Sequence, residues 1–309
     1  MNNKYLKLLI CSIALCLGAA LASAQVKEIS HDFSSFDTID ADYYFHVDVV
    51  KVKKGYSVSM TVDDILLDYV QAYVKGHTLN LTLDKKSLPM DIRKLYKGRN
   101  SADPVLNATV YVPEDIKAIN LSGSSLLAVD EEIKAKDFEI NVEGNAVIRK
   151  LSLDAENVQI KLSGKSSADL TVYADHIALD ASGSSAVSLE QDSESVEISA
   201  SGSANISVEG ETLDASISAS GSSKSALKGK TQTLSIAGSG VSFVDAINLQ
   251  ASECAVKLSG TSKAYETASE KLQIELSGNS TLIYDLEPAV EIVNIKNSTV
   301  QRYADVEKK

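Results

Sequence analysis

Pairs of apolar residues two positions apart recur along most of this chain, and each pair stands just before a short polar corner. The pairs begin with Ile119 and Leu121, Ile140 and Val142, Ile160 and Leu162, Leu179 and Ala181, and Ile198 and Ala200. They continue with Ile217 and Ala219, Leu234 and Ile236, Val256 and Leu258, Ile274 and Leu276, and Val293 and Ile295. A period of two marks a strand with one buried face. A second alternating run follows most corners, as at Leu170 and Val172, Val187 and Leu189, or Ile206 and Val208. Each repeat therefore offers about two or three short strands, which is one coil of a larger stack and not a domain.

The corners are Ser-Gly-Ser or close variants, from Ser122-Gly123-Ser124 to Ser277-Gly278-Asn279, with a last copy at Asn297. Taking Gly123, Gly144, Gly164, Gly183, Gly202, Gly221, Gly238, Gly260 and Gly278 as the corner glycines gives spacings of 21, 20, 19, 19, 19, 17, 22 and 18, and Asn297 follows 19 later. A reversal this tight calls for positive φ, which Gly adopts freely and Asn tolerates. The pattern predicts an all-β fold, a single right-handed parallel β-helix with coils of about 19 residues. A flexible Gly/Ser linker would not keep apolar pairs in phase with every corner. A β-propeller needs blades of about 40 residues, roughly twice this period. Leucine-rich repeats share the length, but their leucine-and-asparagine consensus is missing.

The amino-terminal third is strand-like and less regular. Tyr56, Val58, Met60 and Val62 alternate, and Val70, Ala72 and Val74 lead through a turn at Gly76 and His77 to Leu79, Leu81 and Leu83. Residues 64–74 could instead open as a short helix. Residues 85–103 carry Lys85, Lys86, Arg93, Lys94, Lys97 and Arg99 without periodicity, and so predict an exposed basic loop before the strand at 105–112. The expected organisation is a signal peptide at 1–24 and one β-helix domain at 25–309, with an irregular cap at 25–112 and regular coils at 113–303.

The leader expectation rests on Lys4 and Lys7, an apolar run from Leu8 to Leu21, and Ala22-Ser23-Ala24 before Gln25. The run is too short to span a bilayer comfortably. The bulky Ile10 and Leu15 before Cys11 and Cys16 argue against lipidation. Cleavage would leave no integral membrane segment and place the chain in the periplasm, at the cell surface or outside the cell. It would also leave Cys254 as the sole thiol, with none of His31, His46, His77 or His176 near it in sequence. Formal charge would move from 30 − 42 = −12 to 28 − 42 = −14. So acidic a surface, without Trp, disfavours nucleic acid.

Phe36-Asp37-Thr38-Ile39, Phe45-His46-Val47, Gly76-His77-Thr78-Leu79, Val112-Pro113-Glu114 and the serial Ser-Gly-Ser corners resemble the putative auto-transporter adhesin, head GIN domain family over about residues 30–303. The resemblance implies a β-helix at or beyond the cell envelope and an adhesin-like role; the expectation is a non-catalytic module that binds a glycan or an envelope protein through a solenoid face. The resemblance supplies no functional residues to carry over.

A polysaccharide lyase or hydrolase on the same fold, or a purely structural envelope protein, are the alternatives. Asp169, Asp180 and Glu197 are the carboxylates such an enzyme could use, but they stand among serines on outward positions, where charges are ordinarily just solvated. No His or Cys pair has metal-ligand spacing, and Gly238-Ser239-Gly240 is only a fragment of a phosphate loop. Tyr43, Tyr44, Tyr56, Tyr265 and Tyr284 are expected to pack the ends. The expectation is thus no enzyme, no catalytic, metal or cofactor-binding residues, and no cofactor. Mass spectrometry of the exported protein should find Gln25 at its amino terminus; a retained Met1 or an acylated cysteine would refute the leader assignment.

Overall fold

The computed structural model describes residues 25–96 and 103–306. The expected leader, and Lys97 and Arg99 of the expected basic loop, lie outside the described residues. The chain begins with β1 (Val26–Phe33), β2 (Thr38–Ala41), β3 (His46–Lys51), β4 (Tyr56–Asp63), β5 (Val70–Lys75), β6 (Thr78–Leu83) and β7 (Leu106–Val112). β2 and β3 flank a tight corner at Tyr43, whose φ of 68° puts a tyrosine where later coils have glycine. They form the first coil of the stack, because β8 (Ala118–Leu121) lies parallel to β2, and β9 (Leu126–Val129) parallel to β3. On the other side of that coil, β6 pairs with β2 and β7 with β3. β5 then adds antiparallel to β6, while β4 adds to β7 and β1 to β4 in the same sense.

The segment between β4 and β7 closes this end. Leu66 and Leu88 are buried, and Ile92 and Tyr96 pack on the core. The Tyr96 hydroxyl donates to the Asp63 carboxylate at 2.8 Å, and the Val105 N–H donates to the same oxygen at 3.0 Å. The expected featureless loop is therefore corrected. Leu88, Ile92 and Tyr96 are drawn into the plug while Met90 and Leu95 stay exposed, and Met90–Leu95 forms a short helix, α1. Of the helix considered at 64–74, only the 3-10 turn Asp64–Leu66 forms before β5 takes over.

From there the chain climbs through β10 (Ile133–Val142), β11 (Val147–Leu162), β12 (Ser167–Ala181), β13 (Ala186–Ala200), β14 (Asn205–Ala219) and β15 (Lys224–Gly238). It continues with β16 (Phe243–Leu258), β17 (Lys263–Leu276), β18 (Thr281–Asp285), β19 (Ala289–Ile295), β20 (Thr299–Arg302) and the short helix α2 (Tyr303–Val306). The result is a β-solenoid of about ten turns spaced about 19 residues apart. A full coil is one strand of 14 to 16 residues, not two or three short ones. The parallel ladder carries through a second bend, skipping one residue between the pairs Ala174–Ser193 and His176–Ser195. The inward phase changes there, so Val172 and Ile177, five apart, are both buried. Each coil therefore has a first arm from the glycine corner to this bend and a second arm from the bend to the next corner. Among the described residues no helix is long and apolar enough to cross a membrane.

In-register pairing sorts the core into columns. One runs Leu79, Ile39, Ile119, Ile140, Ile160, Leu179, Ile198, Ile217, Ile236, Val256, Ile274 and Ile292. β-branched side chains suit such a pleated stack, where each contacts its counterpart one coil away.

The same register corrects two assignments. Gly238 is not a corner: it pairs with Ala219 and Leu258 in an inward column, and a Cβ there would meet Leu258 Cδ2 at 2.6 Å. The corner is Gly240, with φ of 67°, which replaces the uneven spacings of 17 and 22 by 19 and 20. At the far end Ile292, not Val293, continues the inner column opposite Ile274, and the register shift that follows skips Val293. Val293 is skipped by the ladder, and among the described residues no further coil covers Ile295; both are exposed.

At every corner the glycine demand is twofold. The corner glycines from Gly123 to Gly278 have φ between 66° and 78°, and Asn297 has 55°. From Gly144 onward, a Cβ would also lie 2.6 to 2.9 Å from the carbonyl oxygen of the corner glycine one coil below. That carbonyl accepts an N–H from the residue after the next glycine, as in Ser203 to Gly183 at 2.6 Å. Replacing Gly202 by Val should cost roughly 3 kcal/mol, since strain and collision add. Replacing exposed Ser203 by Ala should change stability by under about 0.5 kcal/mol. Thermal melts followed by circular dichroism should separate the two, and equal melting points would refute this account of the corner.

Candidate functional site

Outward residues stack as strictly as the core. On the second arm one column reads Asp137, Asn157, His176, Ser195, Asp214 and Thr233. Its neighbour reads Ala118, Glu139, Gln159, Ala178 and Glu197. Two alanines in a column of long polar side chains leave low ground between higher walls. A shallow open groove of about 590 Å³ results, lined by both columns from Lys117 to Glu197. Its polar groups are held by neighbours one coil away. Asn157 Nδ2 donates to Asp137 Oδ1 at 2.8 Å, and His176 Nδ1 meets Ser195 Oγ at 2.8 Å. Lys117 pairs with Asp37 at 3.0 Å across the first coil. No aromatic ring is presented, because Phe138 is buried beneath. What the groove can do is exchange hydrogen bonds, with acceptors and donors repeated at the strand spacing of about 4.8 Å.

Of the carboxylates weighed for catalysis, Glu197 lies in this groove. Asp180 sits on the same arm one coil earlier and one outward column over, beside Ser199. Asp169 is on the first arm, near Arg149 and Ser188 in a separate shallow depression of about 360 Å³. The fold does not gather the three into one site. Among the described residues no group of three or more His, Cys, Asp or Glu could hold a metal ion. Tyr43, Tyr44, Tyr56 and Tyr284 pack on the core, Tyr43 meeting Tyr44 edge-on at 4.8 Å and Tyr56 lying on Phe36, whereas Tyr265 lies on the outer face of β17 against Phe243 and Lys263. The groove residues Asp137, Asn157 and Gln159 escaped sequence reasoning, which sought chemistry within single repeats. The detectable signal was their recurrence at spacings of 19 and 20.

The sequence profile of the putative auto-transporter adhesin, head GIN domain matches residues 35–187 and 168–288. Among solved structures, a putative adhesin from Parabacteroides distasonis is similar at 16% identity and TM-score 0.51, covering 90% of this chain and 97% of that one. A putative adhesin from Parabacteroides merdae is similar at 14% identity and TM-score 0.51, covering 90% and 96%. At such identities the likeness concerns the fold. Comparison with curated proteins gave no match.

The interior holds two polar groups that the groove does not use. Glu266, on the inner face of β17 opposite Ala246, is fully buried and neither oxygen has a regular hydrogen bond among the described residues. Burial pushes its pKa up from 4.5 to about 8; the Cys254 thiol pulls the value back and the Asp285 carboxylate adds to the rise. Cys254 is itself pushed well up, mainly by burial and then by Glu266. A carboxyl whose pKa rises on folding stabilises the fold fully below its unfolded value and loses that contribution as pH climbs through the folded value. Unfolding free energy should therefore fall between about pH 4.5 and pH 8 by up to about 5 kcal/mol, with melting temperature falling in step. Glu266→Gln should flatten this slope, and Cys254 should react with a thiol reagent only on unfolding. A slope unchanged by the substitution would refute the assignment.

Proposed function

The chain belongs to the putative auto-transporter adhesin, head GIN domain family, and from that premise we propose that it is a non-catalytic adhesin-like module, acting at the cell surface or beyond, that binds a glycan along the groove of the second arm. The observation that carries this reading is the pair of in-register polar columns, from Asp137 to Ser195 and from Glu139 to Glu197, on a scaffold that cannot flex locally without breaking its ladder. Repeated amides, carboxylates and an imidazole suit the hydroxyls of an extended, repetitive ligand lying across successive coils. A chain with net charge −12 favours a neutral glycan over a sulfated or uronate-rich one.

A panel of neutral and acidic oligosaccharides should give saturable binding to a neutral member without any product. Combined Asn157→Ala and His176→Ala substitution should weaken that binding about tenfold, equivalent to ~1.4 kcal/mol, and leave melting unchanged. Turnover abolished by Glu197→Gln alone would overturn the reading in favour of an enzyme.

A further inference from the structure

β16 and β17 fall out of register at the second bend. Between the pairs Ala246–Glu266 and Gln250–Thr267, β16 carries three residues, Ile247, Asn248 and Leu249, where β17 carries none. Such a bulge ends local pairing and re-aims side chains. Leu249 turns into the core, while Asn248 and Gln250 stay outside. Thr267 Oγ1 donates to the Ile247 carbonyl at 2.7 Å and so ties the bulge to the next coil. One coil further on, Asp285 pairs with Thr267, and Leu286 then leaves the strand with φ of 66°, a conformation uncommon for leucine. Here lies a pocket of about 500 Å³, lined among others by Asn248, Gln250, Ser252, Ser269, Asp285 and Leu286.

The charges that line this pocket do not balance. Lys230, from the coil below the bulge, is answered by Glu211 at 3.0 Å. The half-buried Asp285 side chain makes no hydrogen bond or ion pair among the described residues, and its charged neighbour is another carboxyl, Glu266. The side-chain amides of Asn248 and Gln250 are likewise unengaged. We propose that this pocket is a second binding site, for a small hydroxylated amine of the amino-sugar class, with Asp285 taking the ammonium and Asn248 and Gln250 the hydroxyls. An unmatched carboxylate selects a cation, and a chain of net charge −12 repels anions. The volume falls in the range of small-molecule sites, about 300 to 1,000 Å³. It is far too large for a bare metal ion, and among the described residues no three His, Cys, Asp or Glu stand together to hold one. Amides and hydroxyls around the carboxylate match a ligand that carries hydroxyls in place of hydrocarbon. The site shares no lining residue with the groove of the second arm and does not rest on the glycan reading.

Calorimetric titration of the full chain with glucosamine, glucose and N-acetylglucosamine in mildly acidic buffer tests the proposal. Glucosamine should bind saturably, and the two sugars without an ammonium roughly tenfold more weakly. Asp285→Asn should abolish that preference with little change in melting, because the carboxylate has no partner within the chain. Combined Asn248→Ala and Gln250→Ala substitution should weaken glucosamine binding about tenfold, whereas Asn157→Ala with His176→Ala, in the other groove, should leave it unchanged. Absence of glucosamine binding, equal binding of glucose, a preference that survives Asp285→Asn, or loss of binding in the Asn157→Ala, His176→Ala variant would each overturn the proposal. A failure of the glycan groove would leave glucosamine binding untouched, so the two readings fail separately.

Discussion

The backbone bond from one glycine corner to the next is the contact on which the rest of this molecule depends. The corner carbonyl of one coil accepts an amide of the next at 2.6 to 2.8 Å, and the glycines stack so closely that no side chain fits between them. Each coil is thereby pinned at the same point of its circuit. With that point fixed, strand pairing can continue around the second bend in a single register, and residues 19 or 20 apart in sequence become nearest neighbours in space. A slip of one residue would turn every inward side chain outward, so corner and core enforce one another.

The interior follows from that register. β-Branched residues fill the column from Ile119 to Ile274 except at Leu179, while the column next to it narrows to Ala181, Ala200, Ala219 and Gly238 before widening again at Leu258. The serines two residues after most corners turn inward as well, and several settle their hydroxyls on a carbonyl of their own corner, as Ser125 does on Ser122 at 2.7 Å. Glu266 breaks this economy. A carboxyl among apolar side chains is tolerated when it is held in its neutral form, so this coil carries a dependence on pH through Glu266.

Outside, the same register turns scattered polar residues into lines, and the groove of the second arm is the place where those lines leave room for a ligand. The ends obey a different rule, since a stack has no internal means of finishing. The amino-terminal third provides a plug by leaving the repeat altogether, through antiparallel strands and a short helix. The final coil ends in the short helix α2 beside β18 and β20, and the apolar positions of β19 remain exposed.

Much of the architecture was legible in the residues alone. The period, the glycine corners and the apolar pairs in phase with them follow from local backbone demands that repeat in every coil, and local demands are written in sequence. Tertiary structure decided what depends on neighbouring coils. Ala237-Gly238-Ser239 reads as a corner, and only pairing with Ala219 and Leu258 shows Gly238 to be an inward residue made small by the leucine above it. Val293 and Ile295 read as another buried pair, but the ladder skips Val293 and among the described residues no further coil stacks on Ile295. The meeting of Asp137 with Asn157, of His176 with Ser195, and of Cys254 with Glu266 across the interior likewise belongs to the stack, because each joins residues from different coils whose register is set by the glycine ladder.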